Sequence, residues 1–105
     1  GIAEILYDIP KPVPLYIKAI IKNFSDTDID KKYIKEQLSL IDYNIQERAE
    51  TSNITAVLKE AVGESGNPYN VEISLNGTNW AEDLEPTGLD EFFTIQPDNI
   101  TLSVV

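Results

Sequence analysis

The sequence predicts an α/β (α+β) fold built as a two-layer sandwich, a small mixed sheet with two helices packed on one face. Apolar residues alternate with polar ones in three stretches and recur at helical spacing in two others. The resulting order is strand, helix, helix, strand, a long excursion that includes a short strand, then a final strand. With 105 residues, the chain can bury roughly 65% of its unfolded surface, enough for one core and too little for two.

Residues 1–14 read as an extended lead-in, because Ile9-Pro10-Lys11-Pro12-Val13-Pro14 alternates proline with other residues and prolines cannot donate ladder hydrogen bonds. The domain proper is expected over residues 15–105. From Leu15 to Lys22 the side chains alternate, with Leu15, Ile17, Ala19 and Ile21 on one face and Tyr16, Lys18, Ile20 and Lys22 on the other. Ser25, Thr27 and Asp28 can cap a helix, and Ile34, Leu38, Ile41 and Ile45 then recur on one helical face, which predicts a first helix from Asp28 to Gln46. Thr51, Ser52 and Asn53 offer a second cap. Ile54, Val57, Leu58, Ala61 and Val62 form the stripe of a helix about three turns long, closed by Gly63 and Gly66.

Tyr69, Val71, Ile73 and Leu75 alternate with Asn70, Glu72, Ser74 and Asn76, the pattern of a half-buried strand, and Asn76-Gly77 follows as a turn. The segment from Thr78 to Asn99 lacks periodicity but carries Trp80, Leu84, Leu89, Phe92, Phe93 and Ile95, too much apolar surface for a free loop. It is expected to fold over the body, with Phe92 to Ile95 as a brief strand. Ile100, Leu102 and Val104 alternate with Thr101 and Ser103 in the closing strand. On the open face, Lys18 and Lys22 are placed to meet Glu72 across strands, at a gain of at most a few tenths of a kcal/mol.

Composition narrows the chemistry. Neither cysteine nor histidine is present, which removes disulfides, thiolate metal sites, thiol catalysis and the commonest general base. The net charge is −10, and all eight basic residues lie between Lys11 and Lys59. The acidic half beyond Lys59 repels phosphate backbones and anionic lipid, so neither nucleic acid nor membrane is an expected partner; its acidity reads first as solubility, with docking to a basic protein surface as the sharper alternative. The apolar runs fall far short of the ~20 residues of a spanning helix.

Asp26-Thr27-Asp28-Ile29-Asp30 spaces carboxylates like the first ligands of a calcium loop. Lys31 then stands where that loop needs glycine and Gln37 where it needs glutamate, and helix capping accounts for the acids without a metal. Glu82, Asp83, Glu85, Asp90 and Glu91 contain no marked acid–base pair, the hydroxyls have no histidine to activate them, and no glycine-rich phosphate cradle exists. No catalytic, cofactor-binding or metal site is expected, and the chain reads as no enzyme. The candidate partner contacts are Trp80, Phe92, Phe93, Glu82, Asp83 and Glu85, with Trp80 and one of the two phenylalanines expected to plug the sheet edge.

The pattern resembles the C-terminal region of the baseplate J-like family of contractile phage tails and Mu-like prophage baseplate wedges. The resemblance rests on Pro12, Pro14, Tyr16, Ile17 and Lys18 opening a strand, two helices, the run from Val71 to Trp80, and the closing Ile100 to Val104. It implies a structural wedge component in the virion tail baseplate, assembled in the bacterial cytoplasm against other baseplate or tail subunits, with neither activity nor cofactor. Gly1 in place of methionine fits the expectation of a fragment that follows a larger N-terminal part. Two other readings compete with it. One is a glycan- or ligand-binding module using Trp80, Tyr69 and Phe92; the other is an acidic nucleic-acid mimic that inhibits a basic protein. For the fold itself, Ile73→Asp is expected to cost more than about 4 kcal/mol by burying a charge, and Glu72→Ala well under 1 kcal/mol, in urea unfolding. Equal losses would refute the face assignment.

Overall fold

The computed structural model describes residues 10–24 and 29–105. They form, in chain order, β1 (Lys11–Asn23), α1 (Lys31–Ser39), β2 (Ala49–Glu50), α2 (Thr51–Val62), a 3-10 turn, β3 (Gly66–Ser74), β4 (Asp83–Leu84) and β5 (Glu91–Val104). The main sheet has the order β3-β1-β5, with β1 antiparallel to β3 and parallel to β5; β2 and β4 make a separate antiparallel ladder. Helix α1 lies against β5 and α2 against β3, giving the expected layer of helices over a small mixed sheet.

Strand β1 is central because its odd-numbered side chains from Val13 to Ile21 are all apolar. Leu15, Ile17, Ala19 and Ile21 are buried against Ile34 and Leu38 of α1, Ile54, Leu58 and Val62 of α2, and Ile73, Phe93, Ile95, Ile100 and Leu102 from the neighbouring strands. The expected lead-in gives way at Lys11, where β1 already begins and pairs with Glu91. Residues 1–9 lie outside the described residues. The odd-numbered amides of β1 point at β5, as Lys11 N donating to Asp90 O (2.8 Å) and Asn23 N donating to Val105 O (3.1 Å) show. Pro12 and Pro14 therefore turn their missing donors toward the β3 side, where β3 begins to pair only at Tyr16.

Three local expectations are corrected. Helix α1 ends at Ser39 instead of continuing to Gln46: the Ser39 hydroxyl donates to Glu36 O (2.6 Å), Leu40 N donates to Gln37 O (3.2 Å) and Ile41 N to Leu38 O (3.1 Å). The chain then turns Tyr43 into the core, edge-on to Phe93 with ring centroids 6.0 Å apart, which leaves Ile45 51% exposed. At the helix start, Asp30 is the cap and accepts from Tyr33 N (3.1 Å); Ser25, Thr27 and Asp28 lie outside the described residues. Helix α2 is capped by Glu50, with no side-chain hydrogen bond, while Thr51 is its first residue. Gly63 closes it as expected, at φ 65°.

In β3 the simple alternation fails at a bulge. Ala19 of β1 faces both Asn70 and Val71, and Asn70 takes φ 51°, a left-handed conformation that asparagine tolerates. Because one residue is added, Gly66 and Pro68 before the bulge share the core side with Ile73 after it, and Tyr69 moves to the open face opposite Ile20. Gly66 is held there by a close approach, since a Cβ would lie 2.5 Å from Lys22 O. The brief strand expected over Phe92–Ile95 is the first part of β5. Gln96 to Asn99 bulge outward opposite the single residue Tyr16, and pairing resumes at Ile17 with Ile100.

Burial and, to a lesser degree, the nearby Glu47 carboxylate push the Tyr43 hydroxyl up to about 12 from 10.0. Its oxygen has no hydrogen-bond partner among the described residues. Between those two pH values the unfolded chain has released the proton while the folded chain keeps it. Stability is therefore fully present below pH 10 and falls by about 1.4 kcal/mol per pH unit toward pH 12. Tyr43→Phe is expected to flatten this loss in urea midpoints taken from pH 9 to 12, since every other group is the same in both proteins. Identical pH profiles would contradict the burial of this hydroxyl.

Candidate interaction surface

Past β3 the chain folds back over the sheet face that the helices leave open. Ser74, fully buried, organises the return: its Oγ accepts from Asn76 N (3.1 Å) and Gly77 N (2.9 Å) and donates to Asn76 Oδ1 (3.0 Å). Asn76 Oδ1 also accepts from Thr78 N (2.8 Å) and Asn79 N (2.9 Å). Gly77, at φ 76°, completes the bend so close to the sheet that a Cβ would lie 3.4 Å from the Tyr16 ring. The loop is pinned at its far end by reciprocal backbone bonds between Ile73 and Ala81, at 3.0 and 2.8 Å.

This loop sets Trp80 on the sheet. Lys18 Nζ sits 4.4 Å from the centroid of the indole ring and 3.7 Å from Glu72 Oε1, so cation–π attraction and an ion pair share one ammonium. The expected Lys18–Glu72 pairing is present, while Lys22 stands opposite Asn67. Trp80 is half-buried on the open face instead of plugging the sheet edge. Beside it runs a shallow groove of about 260 Å³, lined by residues that include Ile20, Asn70, Glu72, Thr101 and Ser103.

The two phenylalanines part company. Phe93 is 1% exposed and in the core, so it is withdrawn from the partner contacts; one residue earlier, Phe92 has the opposite parity and is half-buried opposite Pro12. Tyr69 lies across from Ile20, near Trp80, but six residues of β1 separate Pro12 from Lys18, a run of roughly 20 Å. The aromatic trio Trp80, Tyr69 and Phe92 is therefore not brought together.

The acidic candidates lie at the small β2–β4 ladder. Arg48, from the segment before β2, hydrogen-bonds Asp83 and lies 3.7 Å from both Glu50 and Glu85. The Asp83 hydrogen bond, and then its charge, raises the guanidinium further above its usual range. All four side chains are well exposed, so the network fixes geometry more than it stabilises. Glu82 is exposed, and its backbone oxygen accepts from Thr51 N at 2.9 Å. Of the neighbouring acids, Asp90 pairs with Lys11 (3.5 Å), and Glu91 Oε1 accepts from Gly88 N (3.0 Å) and the Thr87 hydroxyl (3.1 Å). Arg48 was invisible as the neutralising partner because it stands far from Asp83 in sequence.

Among the described residues, no group of three or more Asp, Glu, His or Cys is placed to hold a metal ion, and no helix is long and apolar enough to cross a membrane. The fold and surface define a small mixed α+β domain whose open face offers an aromatic, hydroxyls and one ion pair. No protein-family model matches the chain, and comparison with curated proteins returns no match.

Asn76→Ala removes the acceptor that orders the return loop and is expected to cost about 1–2 kcal/mol. Trp80 emission should shift to the red as the ring leaves Lys18, and unchanged emission would show that Asn76 does not hold the loop.

Proposed function

We propose that this domain is a structural assembly module of a contractile phage or prophage tail baseplate, binding neighbouring subunits and catalysing no reaction. The observation that carries the assembly part is the one-sided covering of the sheet. Helices bury one face, while on the other Ile20, Thr101 and Ser103 border an open groove beside Trp80, with Tyr69 across from Ile20. A sheet surface with a half-buried aromatic and a polar surround suits contact with another protein. The baseplate part comes from the resemblance carried by Pro12 to Lys18, Val71 to Trp80 and Ile100 to Val104. A glycan-binding reading has less support, because one face of Trp80 is engaged by Lys18 and Phe92 lies well away from it.

Two measurements test the proposal. The parent gene is expected to sit among tail-sheath, tube and spike genes, and a location far from any of them removes the baseplate reading. Co-expression with the neighbouring gene products is expected to give a stoichiometric complex in native mass spectrometry. Tyr69→Ala combined with Ile20→Lys should weaken that complex while the circular dichroism of the domain is unchanged. A complex indifferent to those changes would mean that the open face is not the contact.

A further inference from the structure

The sheet has two lateral edges, and several positions along them are blocked. On the β3 edge, Asn67 and Tyr69 face β1, so Pro68 between them points its missing donor outward, and Ile73 further along is already bonded to Ala81. Where β1 runs beyond β3, Pro12 and Pro14 occupy the outward positions. At the start of β5, the outward Glu91 oxygen accepts from Gln46 N at 2.9 Å. Prolines, bulges and bridges of this kind stop a sheet from recruiting further strands.

The second half of β5 carries no such protection. Val105 N donates to Ile21 O (3.0 Å) and Val105 O accepts from Asn23 N (3.1 Å), so the odd-numbered backbone groups there face β1. Ile100, Leu102 and Val104 consequently direct their N–H and C=O groups outward, and among the described residues nothing pairs with them on that side. From Asn99 to Val105 the sequence holds neither a charge nor a proline.

Helix α1 identifies the chemistry that suits this edge. Ile34 and Leu38 point to the sheet, and Tyr33 and Gln37 line a cleft shared with Val57 and Ala61 of α2. At 100° per residue, Lys31 and Lys35, one turn apart, fall on the opposite flank, above the outer side of β5. Lys32 and Lys35, with Glu36, also border an open cleft of about 450 Å³ against Pro97 and Asp98, where the β5 bulge leads into Ile100.

We propose that the outer edge of β5 over Ile100–Val104 docks an extended acidic segment of another polypeptide, which adds as a fourth strand and sets carboxylates against Lys31 and Lys35. Backbone pairing supplies the attachment and the lysines the selection. A second copy of this chain is a poor occupant. Pairing β5 to β5 would oppose the same lysines and join two chains of net charge −10. Nothing in this edge chemistry depends on the baseplate reading.

Amide exchange followed by NMR tests it on the protein as it stands. In the free domain, Thr101, Ser103 and Val105 amides should be protected and Leu102 and Val104 amides should exchange fast. Adding the peptide acetyl-Val-Glu-Val-Glu-Val-Glu-Val-amide should slow exchange at Leu102 and Val104 on the order of tenfold or more. The same peptide with lysine in place of glutamate should bind on the order of tenfold more weakly, and Lys31→Glu with Lys35→Glu should reverse that preference. Val104→Pro, which removes an outward donor and one partly buried side chain at the end of the sheet, should retain the fold, as circular dichroism checks, and abolish binding. Absence of protection with the glutamate peptide, equal binding of the two peptides, or binding indifferent to Val104→Pro each overturns the proposal, as does salt-dependent dimerisation through β5.

Discussion

Leu15, Ile17, Ala19 and Ile21 lie on one side of the central strand and are almost wholly withdrawn from water, and the registers of both neighbouring strands follow from that. Each fully buried Leu or Ile contributes roughly 1.5–3 kcal/mol. A slip of β1 by one residue would exchange this set for Tyr16, Lys18, Ile20 and Lys22, a change no small domain survives. The helices are placed by the same demand. Ile34 and Leu38 of α1 and Ile54, Leu58 and Val62 of α2 cover this one apolar face from above.

The neighbouring strands match β1 only with local irregularity. Asn70 adds a residue to β3, and Gln96 to Asn99 add a longer bulge to β5, while β1 itself stays regular. These departures determine what the surface offers. The first moves Tyr69 to the open face beside Ile20. The second separates the start of β5, where Glu91 meets Gln46, from the edge over Ile100–Val104, and opens the cleft against Lys32 and Lys35.

The sequence shows those parts of the fold where one period dominates. The burial of β1, the α2 stripe and the β5 terminus follow directly from it. It misleads wherever local geometry resets the period. In β3 the apolar alternation from Tyr69 to Leu75 looks unbroken, and only the left-handed tolerance of Asn70 hints at the bulge that puts Tyr69 and Ile73 on opposite faces. Ile41 and Ile45 extend the helical spacing of α1 past its true end because nothing local records that Tyr43 packs on Phe93. Among the candidate contacts, adjacent Phe92 and Phe93 are equivalent by composition and are told apart only by strand parity. The capture of Trp80 by Lys18 and of Asp83 by Arg48 joins residues remote in sequence, which no periodicity encodes.

The parallel pairing of β1 with β5 also governs the order in which the chain can fold. Lys11 finds Glu91 and Ile21 finds Val104, partners separated by most of the polypeptide, so the loop to be closed is nearly as long as the domain. While a ribosome is still extending the chain, β1 can gather its helices and meet β3, but one flank of its ladder stays vacant until the last strand emerges. Completion thus waits on β5, and nascent chains stalled before it would present bare sheet to the chaperones around them.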